Sequence, residues 1–321
     1  MSNLSTTSWV DEKTTDLSEV ERLLLSPHND EHSKTSLSYI NWNVTKQLEQ
    51  NKRMVFNGKE TEFNCFHYSF EQFSVGMEDD TVKKEGYIIP YLNNGKIRYI
   101  VTRNTGAKTM LRKLLVYTGR NVIKSGPVQL SADLFVWLIS KVYKGENIIV
   151  SESESLKDLS IDSIRGIKGD TEDLLTKVSA VGESVINIIS TLSFLLESQK
   201  LNQIKLAINY GNHKNIDMSL STKNVVALDF DRYQGEYLHL KSEEERIATL
   251  FVLLYMEVLP IIIQGYVGEI ESKQWGPGKC VEFLQGVAED LSEKVKKRVD
   301  DLTNRPEQLN ADISEETADI D

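Results

Sequence analysis

The dipeptide Asn94-Gly95, set between two runs of alternating apolar residues, constrains this chain more than any other feature. A type I′ turn needs positive φ at both central positions, and Asn and Gly reach it at least cost. The flanking runs, Gly86 to Leu92 and Lys96 to Thr102, must therefore fold back on one another as an antiparallel hairpin. Its register follows: Asn93 faces Lys96, Tyr91 faces Arg98 and Ile89 faces Ile100. Side chains alternate, so one face carries Tyr87, Tyr91, Lys96 and Arg98, and the other Ile88, Leu92, Ile97, Tyr99 and Val101. The second face reads as the core side, which leaves tyrosines and cations together toward solvent. Pro90 lacks an N–H and predicts that its strand lies at a sheet edge.

The same hairpin opens a stretch of one-sided charge. Residues 86 to 132 hold no carboxylate but eight cations: Lys96, Arg98, Arg103, Lys108, Arg112, Lys113, Arg120 and Lys124. The whole chain has 37 basic and 48 acidic residues, a net −11, so the remainder sums to −11 − 8 = −19. A polyanion would be drawn to this block alone. Thr105-Gly106 predicts the start of a helix running to about Val116, with Lys108 and Arg112 one turn apart on its outside.

A chain of 321 residues exceeds the roughly 250–300 at which single cores stop growing, which favours two units. Residues 1–34 are polar and read as a mostly flexible tail. A basic-faced unit is expected over 35–152, a second over 153–303, and an acidic disordered tail over 304–321. Leu37 to Phe56 is compatible with a helix, and Phe63 to Phe73 suits a strand. Ser131 to Tyr143 predicts a helix and Asn147 to Ser151 a strand. Within Thr171 to Ser198, Leu174, Val178, Val181, Val185, Ile188, Leu192 and Leu195 step by 4, 3, 4, 3, 4 and 3, a heptad seam. Leu174, Val181, Ile188 and Leu195 would carry either packing within the chain or self-association. Strand-like runs at Gln203 to Tyr210, Asn215 to Ser221 and Val225 to Phe230 suggest an antiparallel meander, followed by long helices at about 242–264 and 278–302. The class is α+β, antiparallel hairpins and a meander with several helices.

Ile247 to Ile263 is almost wholly apolar but is interrupted by Glu257 and Pro260 and is short for a bilayer, so it reads as a core helix. Cys65 and Cys280, without a secretory leader pattern, read as free thiols in the cytoplasm.

Motifs for chemistry are weak. His28-Asn-Asp-Glu-His32 has the spacing of an inverted zinc-protease motif, but its polar surroundings offer no apolar helix face to bury a metal. Glu271-Ser-Lys273, with Asp229 or Asp231 upstream, matches a metal-dependent nuclease triplet only if these residues meet on adjacent strands. Thr105-Gly-Ala-Lys-Thr109 fails the phosphate-loop pattern because Ala107 precedes Lys108, although a helix start beside a lysine can still hold a phosphate. No catalytic residue, metal or cofactor is assigned. The expectation is a non-enzymatic protein that binds nucleic acid or another polyanion through Tyr87, Tyr91 and the eight cations. Alternatives are a self-associating or subunit-binding scaffold, in the setting of an accessory component of a bacterial phage-defence system, and a metal-dependent nuclease. The block could also pair with an acidic subunit or with the chain's own tail.

Overall fold

The computed structural model describes residues 3–28, 37–74, 81–119, 121–151, 153–170, 177–181 and 200–303. Its strands are β1 (Asn3–Asp11), β2 (Ser38–Lys46), β3 (Lys52–Phe56), β4 (Lys59–Phe63), β5 (Phe66–Phe73), β6 (Val82–Asn93), β7 (Lys96–Val101), β8 (Ile123–Ser125), β9 (Ile148–Ile149), β10 (Leu159–Asp170), β11 (Lys177–Val181), β12 (Lys200–Tyr210), β13 (His213–Ser221) and β14 (Val225–Asp229). Its helices are α1 (Leu17–Leu24), α2 (Ala107–Leu114), α3 (Ala132–Tyr143), α4 (Glu243–Leu253), α5 (Leu259–Glu271) and α6 (Pro277–Thr303). The fold is α+β, as the patterning predicts.

All the strands join one antiparallel sheet, in the order β11-β10-β12-β13-β14-β1-β7-β6-β4-β3. Off that path, β2 pairs with β5, β5 with β6, β8 with β1 and β9 with β10. The expected N-terminal tail supplies its centre. Asn3 to Thr6 of β1 pair with β14, and Thr7 to Val10 pair with β7. The polarity that suggests a tail is accommodated by hydrogen bonds. Thr6 Oγ1 donates to Val226 O (2.9 Å) and lies 3.1 Å from the Tyr255 hydroxyl, and Thr7 Oγ1 donates to Arg103 O (2.8 Å).

The hairpin has the derived register, with Ile89 opposite Ile100, Tyr91 opposite Arg98 and Asn93 opposite Lys96, and φ of 52° and 70° at Asn94 and Gly95. Its strands are interior, so both faces are buried. Ile88, Ile97, Tyr99 and Val101 pack with α1, α2 and β5 in one core, whereas Tyr87, Ile89, Tyr91 and Ile100 join the other, under α3, α4 and α5. Tyr87 and Tyr91 are 6% and 2% exposed, which corrects their assignment to solvent. Pro90 is not at an edge either. It sits opposite the break between β4 and β5, where its carbonyl accepts from Asn64 N (3.2 Å) and no ladder donor is required.

The larger core draws on residues from both halves of the chain, so the expected division at 152 is not a division of cores. Leu37 to Phe56 forms β2 and β3 rather than a helix; β2 alternates in burial but bulges between Ile40 and Asn43, where Asn41 takes φ 53°. In the stretch predicted as helix over 171–198, Lys177–Val181 is strand, pairing antiparallel with β10. Val181 is therefore opposite Gly166, and Leu174, Ile188 and Leu195 lie outside the described residues, as does the 304–321 tail.

The meander β12-β13-β14 and both C-terminal helices form as patterned. The apolar run passes from α4 into α5 through a π turn, Leu254–Val258, in which Leu259 N bonds Leu254 O. Pro260 offers no N–H to Met256, and the wider turn absorbs that loss. This is the one described segment long and apolar enough to cross a membrane, and 83% of its apolar window is buried within the fold.

Candidate anion-binding cleft

The eight cations do not share one surface, because the sheet separates them. Lys96, Arg98 and Lys124 point to the face beneath α4 and α5. Arg98 and Lys124 both lie opposite Val10, and Lys96 and Lys124 approach Glu12 at 3.4 and 3.7 Å. Arg103, Lys108, Arg112 and Lys113 lie on the opposite side, with α1 and α2. Arg120 falls outside the described residues.

Several of these cations are held by the fold. The Arg103 guanidinium lies 5.0 Å over the Phe70 ring and donates to Thr105 O (2.6 Å) and Gln72 Oε1 (3.2 Å). The Lys113 ammonium lies 4.7 Å over Tyr39, and burial moves its pKa down. α2 starts at Gly106, whose φ of 75° explains the glycine, and no side chain caps it, so Thr105 is not a cap.

At the other end of α2 the backbone closes on itself. Tyr117 N donates to Arg112 O (2.8 Å) and Val116 N to Lys113 O (3.1 Å), the paired bonds of a Schellman motif. The left-handed position, φ 52°, is filled by Val116 where glycine is usual. A β-branched residue there is strained by roughly 1–3 kcal/mol. The turn positions Tyr117, whose hydroxyl donates to the buried Asp11 carboxylate (3.1 Å) that also receives Tyr99 (2.6 Å). Burial, and then the Asp11 charge, raise the Tyr117 pKa, so this ring stays a neutral wall.

Beside that turn lies a cleft of about 390 Å³, lined by Arg112 and Lys113 of α2, the Thr109 and Thr118 side chains, and the rings of His28, Trp42 and Tyr117. Arg112 Nη2 donates to Thr118 O (3.1 Å), which orients the guanidinium, while its Nε is buried without a hydrogen-bond partner. His28 Nε2 lies 3.1 Å from Leu24 O and its ring meets Trp42 edge-on. Among the described residues lining the cleft there is no carboxylate. The set offers donors to an anion and, on the half-exposed Trp42, an aromatic face to a planar group, but no nucleophile paired with a base.

The Glu271-Ser-Lys273 triplet is not assembled with Asp229. Of the His28 to His32 motif only His28 is described. Glu271 closes α5 and Lys273 follows it at φ 61°, whereas Asp229 closes β14, opposite Asp217 and 3.7 Å from Lys205. Among the described residues no three His, Cys, Asp or Glu side chains are grouped to hold a metal. Sequence reasoning missed Trp42 and Tyr117, which come from different elements and carry no local motif, and considered His28 only as part of a metal motif. No protein family and no curated protein matches this chain.

Proposed function

We propose that this protein binds a phosphate-bearing polymer, nucleic acid above all, in the cleft beside α2, and that it does so without catalysis. One observation carries the reading: Arg112 and Lys113 converge with Trp42, Tyr117 and His28 on a cavity whose described lining has no carboxylate. Arg112, whose guanidinium is oriented by its bond to Thr118 O, suits a phosphate oxygen. Trp42, half-exposed where Tyr117 is buried, suits an unstacked base, which favours single strands over duplex. Tyr87 and Tyr91 have no part in this reading, and Lys96, Arg98 and Lys124 are at most an outlying electrostatic contribution from the other face.

The test is fluorescence polarisation with labelled single- and double-stranded DNA and RNA over a salt series. Affinity should fall as salt rises, and Arg112→Ala and Trp42→Ala should each weaken single-strand binding about tenfold, roughly 1.4 kcal/mol. Lys96→Ala with Lys124→Ala, on the opposite face, should cost little. Absence of binding at low salt, or equal losses from the two faces, defeats the assignment.

A further inference from the structure

The last helix outruns the fold that anchors it. Phe283 and Val287 of α6 are buried in the larger core, and Asp290 accepts a hydrogen bond from the Tyr143 hydroxyl. From Ser292 to Thr303 every side chain is exposed. The apolar pattern does not stop with the burial. Val281, Ala288, Val295 and Leu302 recur at every seventh position, with Leu284, Leu291 and then Arg298 between them. Val281, Val295, Val299 and Leu302 are 54%, 46%, 54% and 53% exposed. Leu284 and Leu291 are only half-covered by the fold. A projecting helix of about 12 residues is marginal in water by itself, and a heptad seam of this kind is covered by a second helix.

Charge selects the partner and its direction. Along α6 an acidic block, Glu289, Asp290 and Glu293, is followed by a basic one, Lys294, Lys296, Lys297 and Arg298. A parallel copy in register would set base against base and Arg298 against itself in the seam. A reversed copy sets Glu289 and Asp290 of each arm against Lys297 and Lys296 of the other. The seam then matches layer by layer about a two-fold axis near Glu293: Leu302 on Leu284, Val295 on Leu291, and the long Arg298 on the small Ala288, each in both directions. We propose that α6 pairs antiparallel with α6 of a second copy of this chain, the projecting half of each arm lying on the anchored half of the other. The contact is isologous and closed, and it is independent of the cleft beside α2.

Sedimentation velocity of the full chain over a roughly hundredfold concentration range should show a monomer–dimer equilibrium. Val295→Glu and Leu302→Glu, at positions exposed in the monomer, should leave the thermal melt of the diluted monomer unchanged and abolish the dimer. In a Cys280→Ser background, Ser292→Cys, which flanks the axis, should form an intermolecular disulfide on mild oxidation, and Leu302→Cys should not. A wild type that stays monomeric, a dimer indifferent to Val295→Glu, or cross-linking through position 302 in place of 292 would each overturn the pairing.

Discussion

Val116 occupies a position that helices ordinarily give to glycine, and it does so at the rim of the cleft. Its side chain is 64% exposed, so little packing offsets the left-handed backbone. Val116→Gly should therefore raise stability by about 1 kcal/mol, read from the urea midpoint; an unchanged or lower midpoint would show that the turn is not strained. His213 argues in the other direction. It is buried, with Nδ1 2.7 Å from the Tyr233 hydroxyl, Nε2 3.6 Å from Glu236, and its ring against Tyr237. Burial lowers its pKa from the ordinary 6.5, opposed in part by Glu236 and assisted by Lys157. The unfolded chain thus takes up a proton first as pH falls. The stabilisation is full above 6.5 and is lost as pH drops through that value toward the lower folded one. Denaturation series between about pH 7 and 5 should show the decline, and His213→Gln should flatten it; an equal slope in the variant would assign the loss to other groups. Neither residue stands out in sequence, since each depends on a backbone angle or on neighbours supplied by distant strands.

Elements closed by their own turns were legible, and those defined by distant partners were not. The β6–β7 hairpin was readable to the residue because Asn94 and Gly95 set its turn. The meander was readable from its three strand-like runs and the Gly211-Asn212 turn, where Gly211 takes φ 57°. α3 and α4 were readable from Ser131 and Ser242, which accept from Leu134 N and Glu245 N. β1 and β2 lack such signals; their pairing partners lie far along the chain, and threonine hydroxyls or a bulge disguise the alternation. The cleft was half legible: Arg112 and Lys113 came from the basic run, and the aromatic walls did not. The π turn between α4 and α5 shows how one element fixes another. Glu257, buried there, accepts from Asn57 N at 2.6 Å and so pins the turn between β3 and β4 onto the helix. Glu257→Ala would leave that amide without its acceptor and should cost about 1.5–3 kcal/mol. Hydrogen exchange at Asn57 should accelerate with it; unchanged exchange would mean that the turn is held elsewhere.

At the scale of the molecule, β1 decides whether the chain behaves as one body or two. Its first half completes the part of the sheet made by β9 to β14 and its second half the part made by β2 to β8, so one nine-residue strand joins the two. The larger core crosses the same junction, with Tyr87, Tyr91 and Ile100 beside Ile204, Leu206 and the α4 and α5 side chains. An opening in either half must then expose surface and unpaired backbone in the other, which is the condition for a single cooperative transition. Trp42 lies against the smaller core and Trp137 in the larger one, so single-tryptophan variants report the halves separately. Their urea transitions should coincide in midpoint. Thr7→Pro, placed inside β1 where Thr7 pairs with Val101 of β7 and its N–H faces that strand, should lower both midpoints together, by about 3 kcal/mol or more. Separate midpoints in the parent chain, or a loss confined to the Trp42 side in the variant, would show that the halves fold independently and that β1 merely spans them.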